Sequence, residues 1–179
     1  MLLLCILLAG LPAPAQPATD ADVWTAVIAQ LRSVTFGQRG ELLIIPETLQ
    51  RWPRLPPMPP SFRESALLKS LTQRNSAPGV IRDVQLPPRT RLGATDSMSK
   101  PAASDVSFFD GVNWDSFKKE FPSGMLLRLS LPAFSDDGTR AIIYYQAAGG
   151  FDDSAGGYLI LEKQPGRWAI IDGFGFWIS

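Results

Sequence analysis

The first regular pattern of apolar and polar positions along the chain has the period of a helix. Four apolar side chains recur at positions i, i+3, i+4 and i+7, which places them on one helix face. These residues are Trp24, Val27, Ile28 and Leu31. Thr19 is suited to cap this helix, with Asp22 as its partner and Asp20 beside the positive end of the dipole. We therefore predict an amphipathic helix that begins near residue 20 and ends before Gly37.

A second helix is predicted after a proline-rich stretch. Residues 51–60 contain five prolines, which exclude a helix or a central strand and favour a stiff polyproline II connector. Ser61 and Glu64 follow directly with the spacing of a capping box. The apolar residues on one face of this helix are Leu67, Leu68 and Leu71. The helix is predicted to end near Asn75, before Pro78.

Strand patterns dominate the second half of the chain, after a short helix that Asn113 is placed to cap. Leu127 and Leu129 alternate with polar residues, as in a half-buried strand. Alternation and turn residues together predict strands at 125–134, 139–147, 157–163 and 167–178. Two short apolar runs in the first half, 41–45 and 80–86, are also predicted to be strands. Strands joined by tight turns favour an antiparallel meander.

These elements predict an α+β fold. Two or three helices are expected on one face of a four-stranded antiparallel β-meander, by analogy with cystatin-like or NTF2-like folds. We divide the chain into residues 1–15, 16–86, 87–107 and 108–179. The second and fourth segments are predicted to form one globular domain, and the third is predicted to be a flexible linker rich in Pro, Ser, Ala and Thr.

The first segment has the pattern of a secretory signal peptide. Its apolar run is too short to span a bilayer, and Ala13-Pro14-Ala15 is an A-x-A cleavage site. It has no Lys or Arg before the apolar run, which departs from the usual pattern. We expect a secreted or periplasmic protein without an integral membrane span in the mature chain. The single cysteine, Cys5, lies in this segment, so no disulfide is expected after cleavage.

The composition excludes several kinds of catalytic site. The chain has no histidine, and its mature part has no cysteine. This rules out a Ser-His-Asp triad, a Cys-His pair and an imidazole-ligated zinc. Ser97 and Lys100 match a serine–lysine dyad pattern, but they lie in the predicted linker, without the motifs that accompany that dyad. We predict no catalytic residue, no metal site and no cofactor.

Charge is balanced overall but uneven along the chain. Residues 51–100 contain nine Lys or Arg and three Asp or Glu, whereas residues 101–179 have an acidic excess. The uneven charge is explained by attraction within the molecule, or by an anionic partner such as a cell-wall polymer. The basic residues are scattered and have no interleaved aromatic residues, which argues against nucleic acid as a partner.

The candidate contact residues lie in a glycine-rich loop and at the C-terminus. The loop Gly149–Gly157 has two glycine pairs and is expected to expose Phe151, Asp152 and Asp153. The chain ends on the sequence DGFGFWIS, where alternation predicts that Phe174, Phe176 and Ile178 face a core. Trp177 is predicted on the other face, where it either covers the edge of the core or makes a contact. The pairs Asp136-Asp137 and Asp152-Asp153 lack the alternating spacing of a calcium loop, which favours turns.

A set of structural residues in the last third of the chain resembles a C-terminal pattern of uncharacterised exported bacterial proteins with an aromatic-rich β-meander. The residues that carry the resemblance are Trp114, Phe117, Pro122, Gly124, Leu129, Ser130, Phe134, Ala141, Tyr144, Gly156, Gly157, Leu161–Lys163, Gly166, Trp168 and Trp177–Ser179. The resemblance implies a related fold and export, and it implies no activity. Many members carry a cysteine pair in the loop that corresponds to Gly149–Gly157, and this chain has none there.

Two functions are compatible with these patterns. The first is an exported, non-catalytic domain that binds a protein, a cell-envelope polymer or a small ligand, or serves as an accessory subunit. The alternative is a hydrolase that acts on cell-envelope material through paired carboxylates, which requires two carboxylates in one pocket and a raised pKa for one of them. The partner itself is not identified by any motif.

Overall fold

The computed structural model describes residues 19–34, 40–49, 65–93, 109, 112–150 and 153–178, with side chains up to Phe174. This part of the chain contains three helices and seven strands in one mixed sheet. The helices are α1 (Asp20–Val34), α2 (Ala66–Arg74) and α3 (Trp114–Glu120). The strands are β1 (Leu42–Ile44), β2 (Thr90–Leu92), β3 (Met125–Leu129), β4 (Ala133–Phe134), β5 (Arg140–Gly150), β6 (Asp153–Gln164) and β7 (Arg167–Ile178).

The sheet has the strand order β2-β1-β3-β5-β6-β7, with β4 also paired to β5. β1 is parallel to both β2 and β3, and the remaining pairs are antiparallel. The predicted α+β class is confirmed, but the four-stranded sheet is wrong. Two short strands from the first half of the chain extend the meander beyond β3, a long-range pairing that turn residues cannot reveal.

The predicted strand 125–134 is interrupted by three residues, Ser130–Pro132, which we call the joint. Pro132 lacks the N–H that a continuous ladder would need. At the joint the Ser130 hydroxyl accepts from the Tyr144 N–H at 3.0 Å, while the Ser130 N–H donates to the Tyr144 carbonyl at 2.9 Å. Strand β5 therefore keeps its bonds across the interruption.

Side chains from α1 and α2 bond the other backbone groups of the joint. The Trp24 indole N–H donates to the Ser130 carbonyl at 3.0 Å. The Asn75 amide bonds both backbone groups of Leu131, accepting from its N–H at 2.8 Å and donating to its carbonyl at 3.0 Å. Arg74 donates to the Pro132 carbonyl and also forms an ion pair with Asp20. The joint thus fixes both helices to the sheet.

The helices lie on both faces of the sheet. Helix α1 packs on one face, here called the α1 face, where its apolar stripe joins a single large cluster with side chains of β1, β3, β5 and β6. Helices α2 and α3 pack on the other face, here called the α2/α3 face, in two separate clusters. The expectation that all helices share one face is wrong, because β5 is buried on both sides, from Ala141 to Gly149 without interruption.

The helix starts follow the expected capping chemistry where they are described. Thr19 and Asp22 form a reciprocal pair at the start of α1, in which each side chain accepts from the other backbone N–H. Asn113 caps α3 as predicted. The N-cap of α2 is Ser65, whose hydroxyl accepts from the Leu68 N–H at 3.2 Å, while the predicted capping box at Ser61 and Glu64 lies outside the described residues.

Two short segments differ from their predicted structure. Residues 80–86 form no strand, because Asp83 has a φ of 58° that breaks the extended run; the Ile81 N–H instead donates to the Pro46 carbonyl. Strand β2 lies within residues 87–107, the predicted linker, and pairs along β1. The run at 41–45 forms β1, as predicted.

Candidate functional site

The glycine-rich loop is much shorter than the sequence predicts. Strand β5 continues to Gly150, strand β6 begins at Asp153, and these two residues are paired. Only Phe151 and Asp152 connect the two strands, and both lie outside the described residues. The second glycine pair, Gly156 and Gly157, is buried inside β6. Seven of the nine loop residues are therefore strand residues.

Asp153 is the candidate contact residue that the structure describes in full, and it is exposed at the start of β6. Its carboxylate crosses the backbone of Gly149, where a Cβ would collide with Oδ2 of Asp153. A side chain at position 149 would therefore make the exposed Asp153 carboxylate rotate away from this backbone. The Asp153 carboxylate therefore lies beside the end of the β5–β6 hairpin.

Trp177 lies at the same end of the sheet as Asp153. It is paired with Gly156, and Ile178 is paired with Ala155, two residues beyond Asp153. A register shift lies between this pair and the Tyr158–Phe174 pair. The side chain of Trp177 is outside the described part of the chain, and so is its predicted placement on the face opposite Phe174.

Among the described strands, β7 forms one edge of the sheet and runs for 12 residues. The other edge, β2, has three residues. Two backbone N–H groups of β7 are bonded by side chains. Ile170 donates to Oε1 of Gln30 on α1 at 3.3 Å, and Gly173 donates to Oδ1 of Asp172 at 2.8 Å. Both bonds lie in residues 167–173, here called the first half of the strand.

On the α2/α3 face, a row of three residues without apolar side chains lies between the two apolar clusters. Arg128 on β3, Gln146 on β5 and Gly156 on β6 are cross-strand neighbours, and we call them the polar row. Gln146 is fully buried, and its Nε2 lies 3.4 Å from the Tyr144 hydroxyl. Its Oε1 has no hydrogen-bond partner among the described residues. Burial lowers the pKa of Arg128, and the charge of Glu47 partly opposes this.

Three aromatic rings stand beside the polar row. The centroids of Tyr144 and Tyr158 are 4.9 Å apart, and Phe174 is stacked on Tyr158 at 5.2 Å. Burial raises the pKa of the Tyr158 hydroxyl, and the neighbouring Tyr144 raises it further. A phenol in this setting stays protonated at neutral pH, so Tyr158 is not a general base there.

The carboxylates of the described residues do not form a catalytic or metal-binding group. Within the described ranges no Asp or Glu is buried, and no three potential ligands gather at one place. Asp137 organises the turn between β4 and β5 through bonds from Ser135 and Thr139, and these bonds lower its pKa to about 2. Asp137 and Asp153 lie at opposite ends of β5.

The functional features that sequence patterns missed are Gln146 and the side-chain bonds along β7. Gln146 stands in the apolar run YYQAA, and a glutamine in such a strand is the one local signal of a buried polar group. Nothing local relates Gln30 to Ile170, which are 140 positions apart. No helix in the described part of the chain has the length and apolarity to cross a membrane. Comparison with protein-family models, curated proteins and solved structures found no match to this chain.

Proposed function

We propose that the protein is an exported, non-catalytic binding or accessory domain that takes up an extended segment of a partner protein along β7. The observation that carries this proposal is the position of β7, a 12-residue strand whose one neighbour among the described strands is β6. The outer side of an edge strand presents backbone donors and acceptors that an added strand can pair with.

The arrangement of the helices favours the edge over the faces as the binding surface. The α1 face carries a continuous apolar cluster beneath α1, and the α2/α3 face carries α2 and α3. A ligand on either face would have to displace a packed helix, at the cost of the apolar area that the helix buries. A segment added along residues 174–178 of β7 displaces no helix and neither of the two side-chain bonds to β7.

The residues of the second half of β7 indicate what segment would fit. Residues 174–178 read FGFWI and contain no charge, and Gly175 has no side chain to pack against a neighbouring strand. Asp153 adds one exposed carboxylate at the same end of the sheet. We therefore propose an apolar, extended segment with a basic residue at one end, from a protein of the cell envelope.

The carboxylate-based hydrolase is not favoured. It needs paired carboxylates in a pocket that excludes water, and every Asp and Glu within the described ranges is at least partly exposed. Export, the likeness to exported bacterial proteins and the analogy with cystatin-like or NTF2-like folds remain proposals that rest on the residue patterns.

The binding proposal is tested with synthetic nine-residue peptides of alternating aliphatic and aromatic residues that end in lysine. Matched peptides with a central proline serve as controls, because proline removes a donor that strand pairing needs. We expect perturbed backbone amide signals along residues 174–178 in nuclear magnetic resonance spectra with the first set alone. Binding that maps to a helix, or equal binding of the proline peptides, would contradict the proposal.

The export proposal is tested by expressing the full chain in a bacterium and determining the N-terminus of the product by mass spectrometry. We expect a product that begins at Gln16 and is found outside the cytoplasm. An unprocessed chain that stays in the cytoplasm would exclude export in that host while leaving the binding proposal intact.

A further inference from the structure

The two side-chain bonds to β7 come from different places in the fold. Gln30 belongs to α1, which packs across the α1 face and reaches β7. Asp172 belongs to β7 itself and bonds the next residue, Gly173. Each side chain supplies an oxygen to a backbone N–H near the middle of the edge strand. Both bonds therefore occupy donors that a neighbouring strand would otherwise use.

The register of the β6–β7 hairpin shows that these N–H groups point away from β6. The two-residue turn Pro165-Gly166 joins the pair Gln164–Arg167, which is hydrogen-bonded in a hairpin of this length. Bonded and non-bonded pairs then alternate, so that Ile170, opposite Leu161, directs its N–H outward. A bulge at Ile171 shifts the alternation by one residue, and Gly173 becomes the next outward donor.

The first half of β7 needs such protection for a second reason. Ile171, at the bulge on this edge strand, is one of three exposed large apolar side chains among the described residues, with 47% of its surface exposed. An exposed apolar residue beside outward N–H groups favours pairing of two copies of the chain through this edge.

We propose that Gln30 and Asp172 close the first half of β7 against strand pairing, so that a second copy of the chain does not add there. The proposal that a second copy cannot pair there does not depend on the proposed function. Its consequence for a partner, which is then confined to residues 174–178, rests on the proposed function.

The proposal is tested with two pairs of variants of the chain. Gln30→Ala and Asp172→Ala remove the acceptor oxygens, whereas Gln30→Glu and Asp172→Asn keep an acceptor at the same position. Two readouts are measured on each protein: amide hydrogen exchange of Ile170 and Gly173, and self-association by analytical ultracentrifugation. Neither readout requires a partner, so the result is independent of the peptide experiment.

We expect the double alanine variant to exchange these two amides on the order of tenfold faster in its monomeric form, since each loses a hydrogen bond. We also expect it to self-associate at concentrations where the unaltered chain and the Glu/Asn variant do not. A double alanine variant that stays monomeric would overturn the proposal, whether or not its amides exchange faster. Equal self-association of the Glu/Asn variant would also overturn it, because that variant keeps both acceptor oxygens and the same net charge.

Discussion

The two faces of the sheet are covered in different ways. On the α1 face, one helix of 15 residues packs on a single cluster that extends from β1 to β6. On the α2/α3 face, helices of nine and seven residues pack on two clusters, and the polar row lies between them. The first face is one continuous core, and the second is two small cores.

This difference shows where polar side chains are tolerated inside the molecule. The single long helix α1 covers this face without a gap. The side chains that β5 contributes to the cluster there are Ala141, Ile143, Tyr145 and Ala147. Two short helices meet the other face at its ends, which leaves room for Gln146 and Arg128 between them. The difference predicts unequal responses to mutation on the two faces.

The largest effect is expected from truncation in the continuous core. Ile28 and Leu71 are both fully buried, in α1 and α2 respectively. Ile28→Ala should lower the free energy of unfolding by about 4 kcal/mol, and Leu71→Ala by about 3 kcal/mol, because the larger cluster relaxes less around a cavity. Urea unfolding followed by circular dichroism measures both values.

The exposed Val34, at the end of α1, provides the matched control. Val34→Ala should change the free energy of unfolding by less than about 0.5 kcal/mol. If Leu71→Ala cost clearly more than Ile28→Ala, the description of the α2/α3 face as the weaker core would be wrong.

A smaller effect is expected at the joint, where side chains from the helices of both faces bond the same interruption. Asn75→Ala should cost about 2 kcal/mol, because it leaves the Leu131 N–H without its acceptor and leaves the Leu131 carbonyl with the Ser130 hydroxyl as its donor. Asn75→Asp, which keeps the acceptor and loses the donor, should fall between the alanine variant and the unaltered chain. Thermal unfolding monitored by calorimetry gives the comparison. A cost below about 1 kcal/mol for Asn75→Ala would show that the joint does not depend on the Asn75 amide.

The smallest effect is expected in the polar row, where the substitution should raise the free energy of unfolding. Gln146→Leu should raise the free energy of unfolding by about 1 kcal/mol, since it removes a buried amide oxygen that no described residue bonds. It would join the two small clusters into one. Gln146→Ala is the control, because it also removes the amide but leaves a cavity, and it should be destabilising. If Gln146→Leu is destabilising by more than about 1 kcal/mol, the amide is required by the fold.

Much of the fold follows from local patterns. The stripe at Trp24 and Ile28 predicts α1, and Asn113 correctly marks the start of α3. The Pro165-Gly166 turn is predicted because glycine supplies the positive φ that its second central position needs, and Gly166 has a φ of 76°. Segments such as 80–86 are misjudged because one residue with an unusual φ, Asp83, is enough to end a strand.

The candidate site was much less accessible to sequence patterns. Asp153 and Trp177 were predicted as contact residues, and the register brings them to one end of the sheet. That β7 is an edge, and that Gln30 bonds Ile170, depends on which strands pair and which helix reaches them. No spacing along the chain encodes those contacts.

The sequence by itself determined the helical stripes, the caps at Thr19 and Asn113, the β5–β7 meander with its Pro165-Gly166 turn, and the absence of histidine from any site. These features depend on neighbours within a few residues, where periodicity and turn chemistry act directly. Only the tertiary structure decided that β1 and β2 extend the sheet in parallel, that helices cover both faces, and that β7 remains at the edge. Those outcomes depend on pairing between distant segments, whose free energy comes from shared burial and from backbone bonds that any sequence can form.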